Sequence, residues 1–135
     1  MKKLISIIIP MYNEEESLPY LYDRLTKLAD KIENYNMEFL FVNDGSKDNS
    51  LNIVKAYKKS DERVCYLNLS RNFGKEVAMA AALDYVRGDV VAIIDADLQD
   101  PPELIIDMLK YYEEGYDDVY AKRKSRKGET VLKKF

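Results

Sequence analysis

The chain alternates short, nearly unbroken apolar runs with longer stretches in which apolar side chains recur at helical spacing. Residues 4–9 (LISIII) form the first run, rich in isoleucine, which predicts a strand covered on both faces. Behind it, Leu18, Leu21, Tyr22, Leu25, Leu28, Ala29 and Ile32 share one helical stripe, with Ser17 as N-cap and Pro19 in the first turn. A second strand is predicted over 37–42 (MEFLFV), broken by Asn43, Asp44, Gly45 and Ser46. Ser46 or Asp48 then caps a helix bearing Leu51, Val54 and Tyr57. Residues 64–69 predict a third strand, 74–86 a helix of small residues (Ala78, Ala80, Ala81, Ala82), and 89–94 (DVVAII) a fourth strand. Asp100 as cap, Pro101 and Pro102 in the first turn and Glu103 at the third helical position announce a last helix. Its apolar face is Leu104, Ile105, Met108, Leu109 and Tyr112, and a weak strand at 118–121 follows. The order βαβαβαβαβ predicts an α/β fold, a mostly parallel sheet with helices on both faces.

Composition narrows the chemistry. At 135 residues, 47% hydrophobic and 33% charged, the chain suits one globular domain with a buried core. The absence of histidine excludes Ser-His-Asp and Cys-His catalysis and any histidine-bearing zinc or haem site. The single Cys65 can form neither an internal disulfide nor a four-thiolate metal site, and reads as a reduced, packed thiol of a cytosolic chain. The net charge of −3 hides an asymmetry, because residues 122–134 hold seven bases and one acid. Such a segment is either a solvated terminus or a surface that meets an anion such as phosphate, nucleic acid or a lipid headgroup. No apolar run approaches the ~20 residues needed to span a bilayer, and the Met-Lys-Lys start lacks a signal peptide's core.

Parallel α/β sheets bind ligands beyond the carboxyl ends of their strands, near the point where strand order reverses. Three polar segments belong there: PMYNEE at 10–15, NDGS at 43–46 and DADLQ at 95–99. The first contains no glycine, which argues against a dinucleotide fingerprint and against a Walker loop. Glu14, Glu15 and Glu16 also have a purely structural use beside a helix N-terminus, whereas Tyr12 and Asn13 precede the helix and are harder to explain as structure. If 95–99 is extended, Asp95, Asp97 and Gln99 point to one side and Asp100 falls out of phase as a cap. Two carboxylates and an amide oxygen together suit Mg²⁺ or Mn²⁺. The alternative is that these acids only end a strand and cap the next helix.

The run DADLQDPPE at 95–103, together with PMYNEE at 10–15, NDGS at 43–46 and SRNFGK at 70–75, resembles the family-2 glycosyltransferases. The likeness is to their polyprenyl-phosphate group, that is, bactoprenol glucosyltransferases and dolichol-phosphate mannosyltransferases. It implies a GT-A (Rossmann-like) fold, truncated after about the fifth strand, with residues 1–121 as the donor-binding core. Residues 122–135 would lead toward an acceptor and membrane region that the chain does not contain. The implied reaction is metal-dependent, inverting transfer from a nucleotide sugar, UDP-glucose favoured over GDP-mannose, to a polyprenyl phosphate. Asp44 would hydrogen-bond the nucleobase, where many relatives carry two acids instead of Asn43 and Asp44. Pro10, Tyr12 and Glu14 would frame base and ribose, and Arg71, Asn72 and Lys75 would lie beside the donor. Asp95, Asp97 and Gln99 would hold Mg²⁺ or Mn²⁺, with Asp97 and Arg123 catalytic and Arg123 contacting the acceptor phosphate.

The resemblance further implies that residues 122–134 lie against anionic headgroups, and it leaves room for a homo-oligomer. It implies a cytoplasmic catalytic part, anchored in longer relatives to the inner membrane of the cell envelope, and little transfer by this chain alone. Alternatives are a family-2 enzyme with a saccharide acceptor, such as a cell-wall or capsule polysaccharide, and a receiver-like signalling domain. The receiver would need an acid after the third strand, where 68–71 read NLSR. A sugar nucleotidyltransferase would need a glycine- and arginine-rich first loop. A nucleic-acid binder would need aromatic residues among the bases of 122–134, which contain none, so no nucleic-acid partner is expected.

Overall fold

A computed structural model of the chain describes residues 2–99 and 101–116, and the backbone of 119–124 and 129–134. Four strands, β1 (Lys3–Met11), β2 (Tyr35–Asn43), β3 (Val64–Asn68) and β4 (Val90–Ile93), alternate with helices α1 (Leu18–Lys31), α2 (Ser50–Ser60) and α3 (Lys75–Leu83). They pair in the order β3-β2-β1-β4, all parallel, with Ile7 of β1 opposite both Phe39 of β2 and Ala92 of β4. The isoleucine run is the centre of this sheet, and Ile5, Ile7, Ile8 and Ile9 have no exposed surface. α1 buries Leu18, Leu21, Leu25 and Leu28, the predicted stripe.

Chain direction sets where the helices lie. β1, β2 and β3 step one way across the sheet, and β4 returns to the far side of β1. Right-handed crossovers then put α3 on the face opposite α1 and α2. α3 lies against β1 and β2, with Ala78 and Ala82 packed on Ile8, Leu40 and Val42 and Cys65 beside them. Alanines let the helix approach the sheet closely, which explains its small-residue composition. α1 and α2 are clasped by stacked Tyr22 and Tyr57 rings, 4.0 Å apart. The Tyr22 hydroxyl donates to Asp61 at 2.6 Å, and Asp61 also pairs with Arg63 at 2.9 Å.

At the amino ends of the strands a buried polar seam joins β1, β2 and the entry to β4. Glu38 accepts from the Ser6 hydroxyl, from the Arg87 backbone N–H at 3.0 Å and from the Arg87 guanidinium at 3.0 Å. Burial alone would push the Glu38 carboxyl up, but these hydrogen bonds and the Arg87 charge outweigh it and hold it below its ordinary value. Gly88 is needed here because a Cβ would lie 2.5 Å from Ser6 Oγ and 2.7 Å from Ser6 N.

Several local details differ from the sequence expectation. Ser17 does occupy the N-cap of α1, but its hydroxyl turns to Glu14 and caps no helical N–H. Asn49, not Ser46 or Asp48, is the N-cap of α2, although Asp48 still accepts from the Ser50 N–H at 2.9 Å.

Residues 1–100 and 101–135 form two compact units. In the second, α4 (Leu104–Glu113) lies against β5 (Val119–Lys124). The helix starts later than expected, after i→i−3 bonds from Leu104 to Pro101 and from Ile105 to Pro102, both 3.1 Å. Residues 101–103 are thus a tight turn with Glu103 as N-cap, while Asp100 lies outside the described residues. β5 does not extend the parallel sheet but pairs antiparallel with β6 (Glu129–Lys134), Val119 opposite Lys134. Only four residues separate the two strands, a length that favours a local hairpin over a long-range parallel partner. The GT-A-like α/β architecture holds, and its parallel sheet has four strands among the described residues.

Candidate functional site

The reversal of strand order lies between β1 and β4, so their carboxyl ends diverge into a crevice. A cleft of about 280 Å³ opens there. Pro10, Met11, Tyr12 and Glu14 line it from the β1 exit, Asp44 from the β2 exit, and Lys75 from the start of α3. Asp95, Ala96, Asp97 and Gln99 line it from the β4 exit. Eight of the residues singled out in the sequence therefore meet in one place. Arg71 and Asn72 line a neighbouring groove instead, which shares Tyr12 with the cleft. The side chain of Arg123, the expected acceptor contact, lies outside the described residues.

Loop-to-loop hydrogen bonds hold these walls. Asn13, at φ +54°, donates its N–H to Ser46 Oγ at 2.9 Å and accepts from the Lys47 N–H at 2.8 Å. The Glu14 N–H donates to Ser50 Oγ at 2.8 Å. Asn13, hard to explain as structure from the sequence, thus ties the first loop to the second. Its signal was present, since asparagine is among the few residues that enter the left-handed region readily. Gly45, at φ +75°, lets the second loop touch the third, because a Cβ there would lie 2.3 Å from Asn72 N.

Asp44 is buried, 4% exposed, and serves the third loop directly. Its Oδ1 accepts from Phe73 N–H at 2.7 Å and its Oδ2 from Gly74 N–H at 3.0 Å. A carboxylate has about four acceptor positions, so this anchoring leaves capacity toward the cleft that Asp44 lines. The Arg71 guanidinium lies over the Phe73 ring, 4.7 Å from its centroid.

The β4 exit is a turn rather than an extended segment. Leu98 is left-handed at φ +62°, and the Gln99 N–H donates to Asp97 Oδ1 at 3.2 Å. Asp95, Asp97 and Gln99 still face one cleft, although the alternation argument that grouped them does not apply. Asp95 is ion-paired with the Lys75 ammonium. Burial pushes the Glu14 carboxyl up; the Ser17 hydroxyl opposes this, and the charges of Asp97, Asp48 and Asp95 add to it. The cleft is thus crowded with acids.

For a metal, the donor set is all oxygen and open. Among the described residues no three or more acidic or thiol side chains gather to enclose an ion. Mg²⁺ commonly takes only one or two carboxylates, completing its shell with water and substrate phosphates. Asp95, Asp97 and the Gln99 amide are the oxygen donors of the cleft that could take part in such an open shell.

Fold and cleft are together those of a Rossmann-like α/β protein with its ligand site at the strand switch. The chain belongs to glycosyl transferase family 2, whose model matches residues 6–135. It is 50% identical over 129 residues to the uncharacterized glycosyltransferase YkcC of Bacillus subtilis, covering 96% of this chain and 40% of that protein. It is 42% identical over 130 residues to the prophage bactoprenol glucosyl transferase homolog of Escherichia coli, covering 96% and 42% respectively. Among solved structures, the mannosyltransferase PcManGT from Pyrobaculum calidifontis, in complex with GDP-Man and Mn²⁺, shares the fold. Its TM-score is 0.76 at 19% identity, over 94% of this chain and 37% of that one. The chain spans about two fifths of the length of the curated relatives it matches. Among its described residues no helix is long and apolar enough to cross a membrane.

Proposed function

We propose that residues 1–121 bind the donor of a hexosyltransferase that moves a sugar from a nucleotide sugar to a polyprenyl phosphate with inversion. The observation that carries this reading is the meeting of Tyr12, Asp44, Lys75, Asp95, Asp97 and Gln99 in one cleft at the β1/β4 switch. UDP-glucose is favoured over GDP-mannose because the bactoprenol glucosyl transferase homolog is similar along almost the whole chain.

Each residue has a role that its position supports. Tyr12, 40% exposed, offers a ring face to the nucleobase, and the remaining acceptor capacity of Asp44 suits a base N–H. Pro10 and Glu14 border the ribose, and Arg71 and Asn72 flank the donor from the neighbouring groove. Asp95, Asp97 and Gln99 hold Mg²⁺ or Mn²⁺, which supplies positive charge for a departing diphosphate. The acceptor phosphate is already ionised near neutral pH, so its oxygen attacks the anomeric carbon without a strong base. The protein's work is then to align two anions in line. Arg123 meets the acceptor phosphate, and the bases of 122–134 rest on anionic headgroups at the cytoplasmic face of a membrane.

Calorimetry tests the reading. UDP or GDP binding should strengthen with Mn²⁺, and Asp97→Ala should abolish the metal dependence. Metal-independent binding that ignores Asp97→Ala would overturn the site assignment. For the basic segment, salt-sensitive sedimentation with anionic liposomes is expected, and its absence returns 122–134 to a solvated terminus.

A further inference from the structure

Lys75 stands where a helix does not favour a cation. It is the first residue of α3, at the positive end of the helix dipole. The preceding backbone is fixed, since Phe73 and Gly74 donate to Asp44, so the lysine stem starts from a clamped point at the cleft wall. Its ammonium crosses to Asp95 at the β4 exit. Lys75 is the one basic side chain among the described residues that line the cleft, against the acids Glu14, Asp44, Asp95 and Asp97. About half of its side chain and about a quarter of that of Asp95 remain exposed, so the pair can open without unpacking the core.

We propose that Lys75 is a resident counter-ion that holds Asp95 until a divalent ion and an anionic donor arrive together, and thereby couples the binding of one to the other. This rests on the metal-assisted donor binding set out above. A divalent ion on Asp95 and an ammonium on the same carboxylate would place like charges a few ångströms apart, so the ion must displace the lysine. When the ion comes alone, the displaced ammonium loses its anion and the ion binds weakly. When a diphosphate comes too, the flexible lysine stem finds a new anion within the cleft, and the exchange costs little. Linkage makes the effect reciprocal, so the nucleotide strengthens metal binding by the factor by which metal strengthens nucleotide binding.

The test uses the whole chain and reads binding rather than transfer. Free Mn²⁺ is followed by electron paramagnetic resonance during titration, alone and then with UDP or GDP, whichever binds more tightly. The wild type is compared with Lys75→Met, Lys75→Arg and Asp97→Asn. Lys75→Met should bind Mn²⁺ alone about tenfold more tightly than the wild type. The strengthening of Mn²⁺ binding by nucleotide should shrink by a similar factor, and Lys75→Arg should behave as the wild type. Asp97-dependent Mn²⁺ binding that is equal or weaker in Lys75→Met overturns the exchange while leaving the donor site standing. The absence of Asp97-dependent binding in both proteins overturns the reading of the cleft, and the exchange with it.

Discussion

Replacing Asp44 with asparagine removes one oxygen acceptor while keeping the shape of the side chain. In the wild type both carboxylate oxygens face backbone donors, Phe73 N–H at 2.7 Å and Gly74 N–H at 3.0 Å, in a position only 4% exposed. Asparagine has one acceptor oxygen, so one of the two N–H groups must face an NH₂; that falls most easily on Gly74, whose N–H also has Asn72 Oδ1 at 3.0 Å. Losing a charge-assisted hydrogen bond costs about 1.5–3 kcal/mol, and because Gly74 N–H keeps Asn72 as an acceptor the loss stays near the lower end, about 2 kcal/mol. Part of that cost is avoided if residues 70–74 detach locally rather than remain docked. Two measurements separate the cases. Urea unfolding should show a lower midpoint at unchanged slope, and hydrogen exchange at the Phe73 and Gly74 amides should accelerate on the order of thirtyfold. Because the loop leads into Lys75, UDP and GDP binding should both weaken. A loss confined to one base would mean that Asp44 reads the nucleotide more than it anchors the loop. A wild-type urea midpoint with unchanged protection of both amides would refute the anchoring role.

Three further outcomes are expected. Gly45→Ala at φ +75°, with a Cβ 2.3 Å from Asn72 N, should cost about 2 kcal/mol and lower Tm by several degrees; an unshifted Tm would show that the second and third loops do not touch. Asp61, held by hydrogen bonds from Arg63 against the pull of burial and helped by Tyr22, ionises at about 2 instead of 3.8. Its folded value is depressed, so its contribution of about 2 kcal/mol is complete above 3.8 and disappears as pH falls toward 2. The Tyr22 hydroxyl, pushed up to about 12 by burial and by its bond to Asp61, gives stability that is complete below 10 and lost as pH rises toward 12. Urea midpoints across both windows should be flatter in Asp61→Asn, and equal acid sensitivity of the two proteins would argue against the clasp. Glu38→Ala, which strips the acceptor from Ser6 and from the Arg87 backbone, should cost about 3 kcal/mol by thermal melting, whereas a loss under 1 kcal/mol would show that the seam is replaceable.

What could be read from the sequence, and what could not, divides by the range of the contacts involved. The isoleucine run of β1, the stripe of α1 and the alanines of α3 record burial directly, because period and composition respond to the faces an element covers. The cleft followed from one topological rule, that acids and amides just past parallel strands share an edge, and Asp95, Asp97 and Gln99 line it although the extended geometry that first placed them together is absent. Leu98 turns the chain where alternation assumed extension, and leucine is a residue type that rarely enters the left-handed region, so its own identity does not announce the turn. The hairpin of β5 and β6 was obscured because lysines and arginines dominate that stretch, leaving little apolar alternation to read.

The deeper omission concerns the loops. Asn13 to Ser46, Glu14 to Ser50 and Asp44 to Phe73 are bonds across roughly thirty residues, invisible to any local pattern. They join side chains whose own composition reads only as turn. The residues with the proposed chemistry and those that hold the cleft open are therefore largely different sets, with Asp44 in both. Because the second set acts through backbone amides, a change at Asn13, Gly45, Ser46 or Ser50 should weaken donor and metal binding together. A change at Asp97 alone should separate them.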